Sequence, residues 1–293
     1  MSAPSSLRTP WLPKLVVAPS FVISFLFIYG LIFWNGWLSM TPSRLLPNYD
    51  EFVGLEHYVA LWNNDRWWVA ITNLGKFGLC FIGGGMALGL LLAILLDQKI
   101  RAEGVLRTIY LYPMALSFIV TGTVWKWIMN PGLGLDRVMH AWGWTSFSFD
   151  WLIDSDKAIY TVAIAGIWQS AGFVMALFLA GLRGIDDSII KAAQVDGASL
   201  PRIYMRILIP SLRPVFFSTL MIVSHLAIKS FDLVMALTAG GPGYASDLPA
   251  TFMYTMAFSR GQIGLGAASA TVMLATVAAI VVPYLYSELR TRK

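Results

Sequence analysis

Residues 71–96 read ITNLGKFGLCFIGGGMALGLLLAILL, an apolar run with one charge, Lys76, and no alternation of apolar and polar positions. A helix needs roughly 20 such residues to cross a hydrocarbon core, where only helices and closed barrels can bond their whole backbone. Barrel strands would alternate, so the run predicts a membrane helix. Gly83, Gly84, Gly85 and Gly89 give it a small-x-x-x-small pattern, which lets a second helix approach closely.

Outward from this run, similar stretches lie at about 15–38, 107–129, 159–182, 214–238 and 265–287. The expectation is an all-α integral membrane protein of about six transmembrane helices. Its transmembrane domain covers 15–287, between a tail at 1–14 and a short end at 288–293. Composition agrees: 57% of the 293 residues are apolar and 13% charged, where a soluble domain carries about 25% charge. The tail, MSAPSSLRTPWLPK, combines three prolines with small polar residues and disfavours packed structure. The first run is too long for a signal-peptide core and no A-x-A site follows it, so it reads as an anchor.

Cytoplasmic loops carry the excess of Lys and Arg. The tail (Arg8, Lys14), the second loop (Lys99, Arg101, Arg107), the loop at 183–213 (Arg183, Lys191, Arg202, Arg206, Arg213) and the C-terminus (Arg290, Arg292, Lys293) are all basic. The opposite face holds Arg44, Arg66, Arg137, Lys157 and Arg260 alone. Both termini are therefore expected in the cytoplasm. The net charge of +5 sits at segment ends without aromatic or glycine-rich RNA signatures, so topology accounts for it and nucleic acid is not expected as a partner. Trp62, Trp67, Trp68, Trp142, Trp144 and Trp151 crowd the outer loops, where indole rings favour the headgroup level of the lipid bilayer.

Catalytic and cofactor chemistry finds little support. Cys80 is the lone cysteine, His57, His140 and His225 are far apart, and neither G-x-x-x-x-G-K-[ST] nor H-E-x-x-H occurs. No metal site, nucleotide site or bound cofactor is expected in this chain.

The most informative loop, residues 185–214, reads IDDSIIKAAQVDGASLPRIYMRILIPSLRP. Two short helices are predicted. Asp186 or Asp187 caps the first, with Ile189, Ile190 and Ala193 on one face, and Gly197 supplies a left-handed stop. Ser199 caps the second, which groups Ile203, Ile207 and Leu208, pairs Arg202 with Arg206 at i, i+4, and ends at Pro210. An apolar face would then project into the cytoplasm. Such a face suits a protein partner or the membrane surface equally.

Within the spans, ionisable groups are costly and face a cavity or partner. His225, Lys229 and Asp232 fall on one predicted stripe, with Lys229 placed to pair with Asp232, either as a polar lining for a pathway or as a structural ion pair. Ser117, Thr121 and Trp125 repeat every four residues; Trp125 suits either a sugar face or the bilayer interface. Lys76 and Lys126 lie near enough to the outer surface to snorkel. Gln169 bonds a hydroxyl or a neighbouring helix.

Ala192-Ala193, Asp196-Gly197-Ala198-Ser199, Ile207 and Pro210 resemble the EAA loop of bacterial ABC importer permeases. Thr238-Ala239-Gly240-Gly241-Pro242 is similar to the T-x-G-G-P of the sugar-type branch, and Gly54-Leu55-Glu56-His57-Tyr58 and Asn130-Pro131-Gly132 fit the same branch. The likeness runs through nearly the whole chain and is nearest to MalF-like permeases of carbohydrate importers. One position departs: Lys191 stands where the family's Glu is usual, reversing the charge at the start of the coupling segment.

The resemblance implies a type I importer permease of MetI-like architecture in the bacterial inner membrane. It also implies a second homologous permease, two ATP-binding subunits that hydrolyse ATP, and a periplasmic or extracellular solute-binding protein as partners. The segment at 183–213 would dock on the ATPase, and alternating access would move a mono- or oligosaccharide such as glucose or a similar hexose. The branch also holds glycerol phosphate permeases, but no cluster of Lys or Arg in the spans marks a phosphate site. The alternative is an ion- or proton-coupled secondary carrier using Lys229 and Asp232, though the internal repeat common in carriers is not visible between the halves.

Overall fold

The computed structural model describes residues 11–98 and 100–291. Most of the expected tail, Lys99 and the last two residues lie outside the described residues. Every regular element among the described residues is helical.

Four helices are long and apolar enough to cross a membrane: α1 (Leu12–Leu38), α3 (Asp65–Asp97), α7 (Ala158–Arg183) and α13 (Ile263–Thr291). Helix α1 begins within the expected tail because Pro13 is tolerated in a first turn, where its missing N–H has no partner to lose. Two bent pairs bring the number to six when each counts as one span: α4 (Glu103–Ala115) with α5 (Phe118–Ile128), bent by 99°, and α9 (Leu200–Ser211) with α10 (Arg213–Ile228), bent by 66°. The shorter helices are α2 (Glu56–Trp62), α6 (Leu135–Ala141), α8 (Asp187–Val195), α11 (Asp232–Leu237) and α12 (Pro249–Tyr254).

The chain divides into two compact units. One joins the residues up to Asn63 with Met253–Val272; the other joins Asn64–Phe252 with those from Met273 on. In the first, the Asn35 amide donates to Ala267 O and Thr271 Oγ1 at 3.2 and 3.0 Å, and His57 Nε2 lies 2.9 Å from Thr41 O.

The second unit is organised on α7, which is buried along most of its length and more deeply than α3. Small residues let its neighbours close on it. A Cβ on Gly84 would lie 2.6 Å from Ile167 Cδ1, and one on Gly89 would lie 2.5 Å from Val174 Cγ1. Helix α4 crosses so close that a Cβ on Gly172 would overlap Tyr110 O. Phe77, Phe81, Val174, Met175 and Phe178 fill the core between.

Two expectations change here. The run at 107–129 is broken: Leu116 turns extended, and the Ser117 hydroxyl caps α5 by accepting from Val120 N at 3.2 Å. Ser117 is the N-cap of α5, and Thr121 and Trp125 follow it within that helix. Trp67, expected at the interface, is buried against Phe252 with ring centroids 5.2 Å apart.

Candidate functional site

The segment at 183–213 forms its first helix where Asp186 Oδ1 accepts from Ser188 N at 2.8 Å, a bond that holds the Asp186 carboxyl below its ordinary range. Helix α8 then runs to Val195. Gly197, at φ +77°, reverses the chain, with Gly197 N donating to Gln194 O and Ala198 N to Ala193 O, both at 3.0 Å. This left-handed closure ties up the helix's last carbonyls. Ser199 precedes α9 without a side-chain cap.

Helix α9 departs from the expected form in two ways. It widens into a π-turn at Tyr204–Leu208, and it runs through Pro210 to Ser211. Proline is accommodated because the chain restarts an α-turn at Ile209, placing Pro210 in a first turn. Most of the expected apolar face also packs inward: Ala193, Ile203 and Leu208 are buried in the protein's own core, and Ile190, Ile207 and Ala198 are half-buried against it, while Ile189 is exposed. Lys191, Ala192, Asp196, Gly197, Arg202, Arg206 and Pro210 are exposed, together with Val195 and Met205 at 87% and 73%.

The expected stripe of His225, Lys229 and Asp232 is divided. Helix α10 stops at Ile228, Lys229 closes it, and Asp232 opens α11. No ion pair joins Lys229 to Asp232 among the described residues. Each charge sits instead at the helix end of opposite partial charge, a cation after a C-terminus and an anion at an N-terminus. The break opens a cavity of about 140 Å³ lined by Phe77, Phe81, Phe118, Lys229, Phe231 and Asp232 among others. Its aromatic walls come from α3, the start of α5 and Phe231 in the break itself; only the two charges were legible as site candidates.

Gln169, 3% exposed, donates from Nε2 to Leu116 O at 2.8 Å, so it bonds the carbonyl released by the bend in the third span. Its Oε1 is buried without a hydrogen-bond partner among the described residues. Trp125 is half-buried, edge-on to Trp168 with centroids 5.9 Å apart. His225 is exposed.

The motif at 238–242 folds as a tight loop. Ala239 and Gly240 take φ +54° and +83°, and the Gly241-Pro242 peptide is cis. Ser246 Oγ lies 2.7 Å from both Thr238 Oγ1 and Gly241 O. The residues just after this loop are anchored by a pairing that sequence reasoning missed: Arg66 Nε donates to Asp247 Oδ2 at 2.6 Å, with its guanidinium 4.3 Å from the Tyr244 ring centre. Asn73 adds bonds to Ala245 O and Asp247 O at 3.0 and 3.1 Å. No sequence signal pairs Arg66 with a residue so distant along the chain.

Residues 85–291 match the family described as binding-protein-dependent transport system inner membrane component. A probable ABC transporter permease protein of Pyrococcus horikoshii is 38% identical, over 95% of this chain and 97% of its own length. The xylose/arabinose import permease protein XacH of Haloferax volcanii is 36% identical, over 92% and 85%. A chain in the crystal structure of a bacterial ABC transporter for alginate import shares the fold, with TM-score 0.83 and 98% coverage of both chains at 19% identity. An ion-coupled carrier is therefore set aside. The chain belongs to the binding-protein-dependent transport system inner membrane components, as a multi-pass permease subunit of an ABC importer.

Proposed function

We propose that this permease carries a neutral mono- or oligosaccharide, with hexoses such as glucose the first cargo to try, across a prokaryotic inner membrane. In this reading it forms half of a channel with a second, homologous permease. Two separate ATPase subunits drive it through the segment at 183–213, and an external solute-binding protein delivers the cargo. In this reading ATP is bound and hydrolysed by those two subunits.

The observation that carries the cargo class is the cavity at the break between α10 and α11. Its phenylalanine faces suit the C–H surface of a sugar ring, while Lys229, Ser230 and Asp232 offer hydrogen bonds to hydroxyls. Trp125, Gln169 and His225 are the further pathway candidates. A phosphorylated cargo would call for several cations or a bidentate arginine, and Lys229 is the one cation on this cavity wall. The sugar branch also gains support from the Haloferax relative's name. Gly240, Gly241 and Pro242 shape the outer loop as a surface for the binding protein.

The coupling role rests on the exposed face of α8 and α9. Val195, Leu200 and Met205 are apolar, exposed and flanked by Lys191, Arg202 and Arg206, a surface a partner would cover. Gly197→Val tests it, because a β-branched residue in the left-handed region costs about 1–2 kcal/mol and distorts the turn between the two helices. In proteoliposomes holding the complete importer, the variant should insert normally and hydrolyse ATP without proportionate uptake. Unchanged coupling would overturn the docking role. Uptake of radiolabelled glucose, xylose and sn-glycerol 3-phosphate identifies the cargo class, and preference for the phosphate ester would overturn the neutral-sugar reading.

A further inference from the structure

The coupling segment is joined to the long span α3 by one directional contact that neither the motifs nor the cavity accounts for. Asp97 is the last residue of α3 and Gln98 caps it. Tyr204, on α9, donates its hydroxyl to Asp97 Oδ2 at 2.5 Å, and Gln98 Nε2 donates to the same hydroxyl at 2.7 Å. The Tyr204 ring is 8% exposed. Tyr204 also opens the π-turn, whose extra residue re-aims the side chains beyond it; such single wide turns recur at functional positions.

Among the described residues, the other buried side chains of α9 are apolar. Ile203 and Leu208 are buried at 1% and 2%, and apolar burial has no preferred direction, so such a surface can slide under load. A hydrogen bond to a carboxylate fixes distance and angle. The helix it grips is the one whose Gly84 and Gly89 lock against α7, so a displacement delivered to the end of α3 reaches the centre of the unit.

We propose that Tyr204 and Asp97 are positioning residues for transport: they latch the coupling segment to α3, so that movement imposed on the segment by the ATPase is transmitted to the spans. This rests on the reading of 183–213 as the docking segment. Tyr204→Phe keeps the ring and removes the latch; Asp97→Asn keeps an acceptor and removes its charge.

The test uses the complete importer in proteoliposomes, with ATP hydrolysis and cargo uptake measured in the same preparation. Coupling energies between sites typically correspond to about 5- to 150-fold, and Tyr204→Phe should raise the ATP hydrolysed per cargo by about tenfold. Subunit stoichiometry and ATPase rate should be retained. Asp97→Asn should give a smaller rise, and the double variant should match Tyr204→Phe, since a latch can be lost only once. An unchanged ratio in Tyr204→Phe would overturn the proposal. So would a parallel fall of hydrolysis and uptake with subunit loss, the mark of a packing role, or full additivity in the double variant. Gly197→Val separates the two levels: uncoupled there but coupled in Tyr204→Phe, the latch alone fails; coupled in both, the docking reading fails with it.

Discussion

Helices α3 and α7 meet through absent side chains, whereas the broken spans beside them are held by polar groups. Along the continuous pair, Gly89 on α3 admits Val174 at a distance a Cβ would forbid, and Gly84 on α3 and Gly166 on α7 admit Ile167 and Phe81 where a Cβ would force them aside. Lipid offers no hydrophobic drive between helices, so close packing of small residues supplies the attraction. At the breaks the chain gives up helical hydrogen bonds and must satisfy the released groups otherwise. Gln169 takes the Leu116 carbonyl, and Lys229 and Asp232 occupy the ends of α10 and α11. Substitutions in the first region should therefore register as stability, and those in the second as transport.

The strongest break in this division is Gly89→Val. The new side chain meets Val174 and, at 3.0 Å, the backbone nitrogen of Met175, which has nowhere to go. Overpacking of this kind costs about 1–3 kcal/mol, sometimes more. The melting midpoint in detergent should fall by several degrees and the yield with it. Gly83→Ala on the same helix faces open space, with nothing within 4 Å of the added carbon, and should melt as the parent does. Equal damage from both would mean that glycine serves α3 by flexibility and not by packing.

Gln169→Leu probes the other side. An interhelical hydrogen bond within a membrane averages about 0.6 kcal/mol and rarely passes about 1.7. The substitution also removes a buried Oε1 that has no partner among the described residues, which offsets part of the loss. The melting midpoint should shift less than in Gly89→Val, while uptake falls several-fold because the bend between α4 and α5 loses its tie. A large drop in stability with transport intact per folded molecule would place Gln169 with the packing residues instead.

The same physics decides how far the sequence could be read. Apolar run length and turn chemistry are local properties, so the long apolar helices, helix α8 and the Gly197 reversal were legible in the sequence. The breaks were less so, because a 23- or 25-residue apolar run looks alike whether straight or bent. Signals were nonetheless present: Ser117 is a capping residue ahead of an apolar stretch, and Lys229 followed by Asp232 is the order that helix ends favour. Reading that pair as one stripe assumed an unbroken helix. The inward turn of the α9 face, the Tyr204–Asp97 contact and the Arg66–Asp247 pair depend on residues 100 or more positions apart along the chain, which no local pattern encodes.

Asp232→Asn should have the smallest effect on stability and sharpens the contrast most. Asparagine keeps the size and hydrogen-bonding capacity at the start of α11 but removes the charge favoured there. Asp232 is exposed, and an exposed substitution of this kind stays within about 0.5 kcal/mol. If the carboxylate accepts hydrogen bonds from sugar hydroxyls, a weaker acceptor should raise the KM for uptake, leaving ATP hydrolysed per cargo and the melting midpoint unchanged. If Asp232 serves only the helix end, the midpoint should fall slightly and KM hold. The first outcome keeps function in the breaks; the second would make this break a packing device like the glycines of α3.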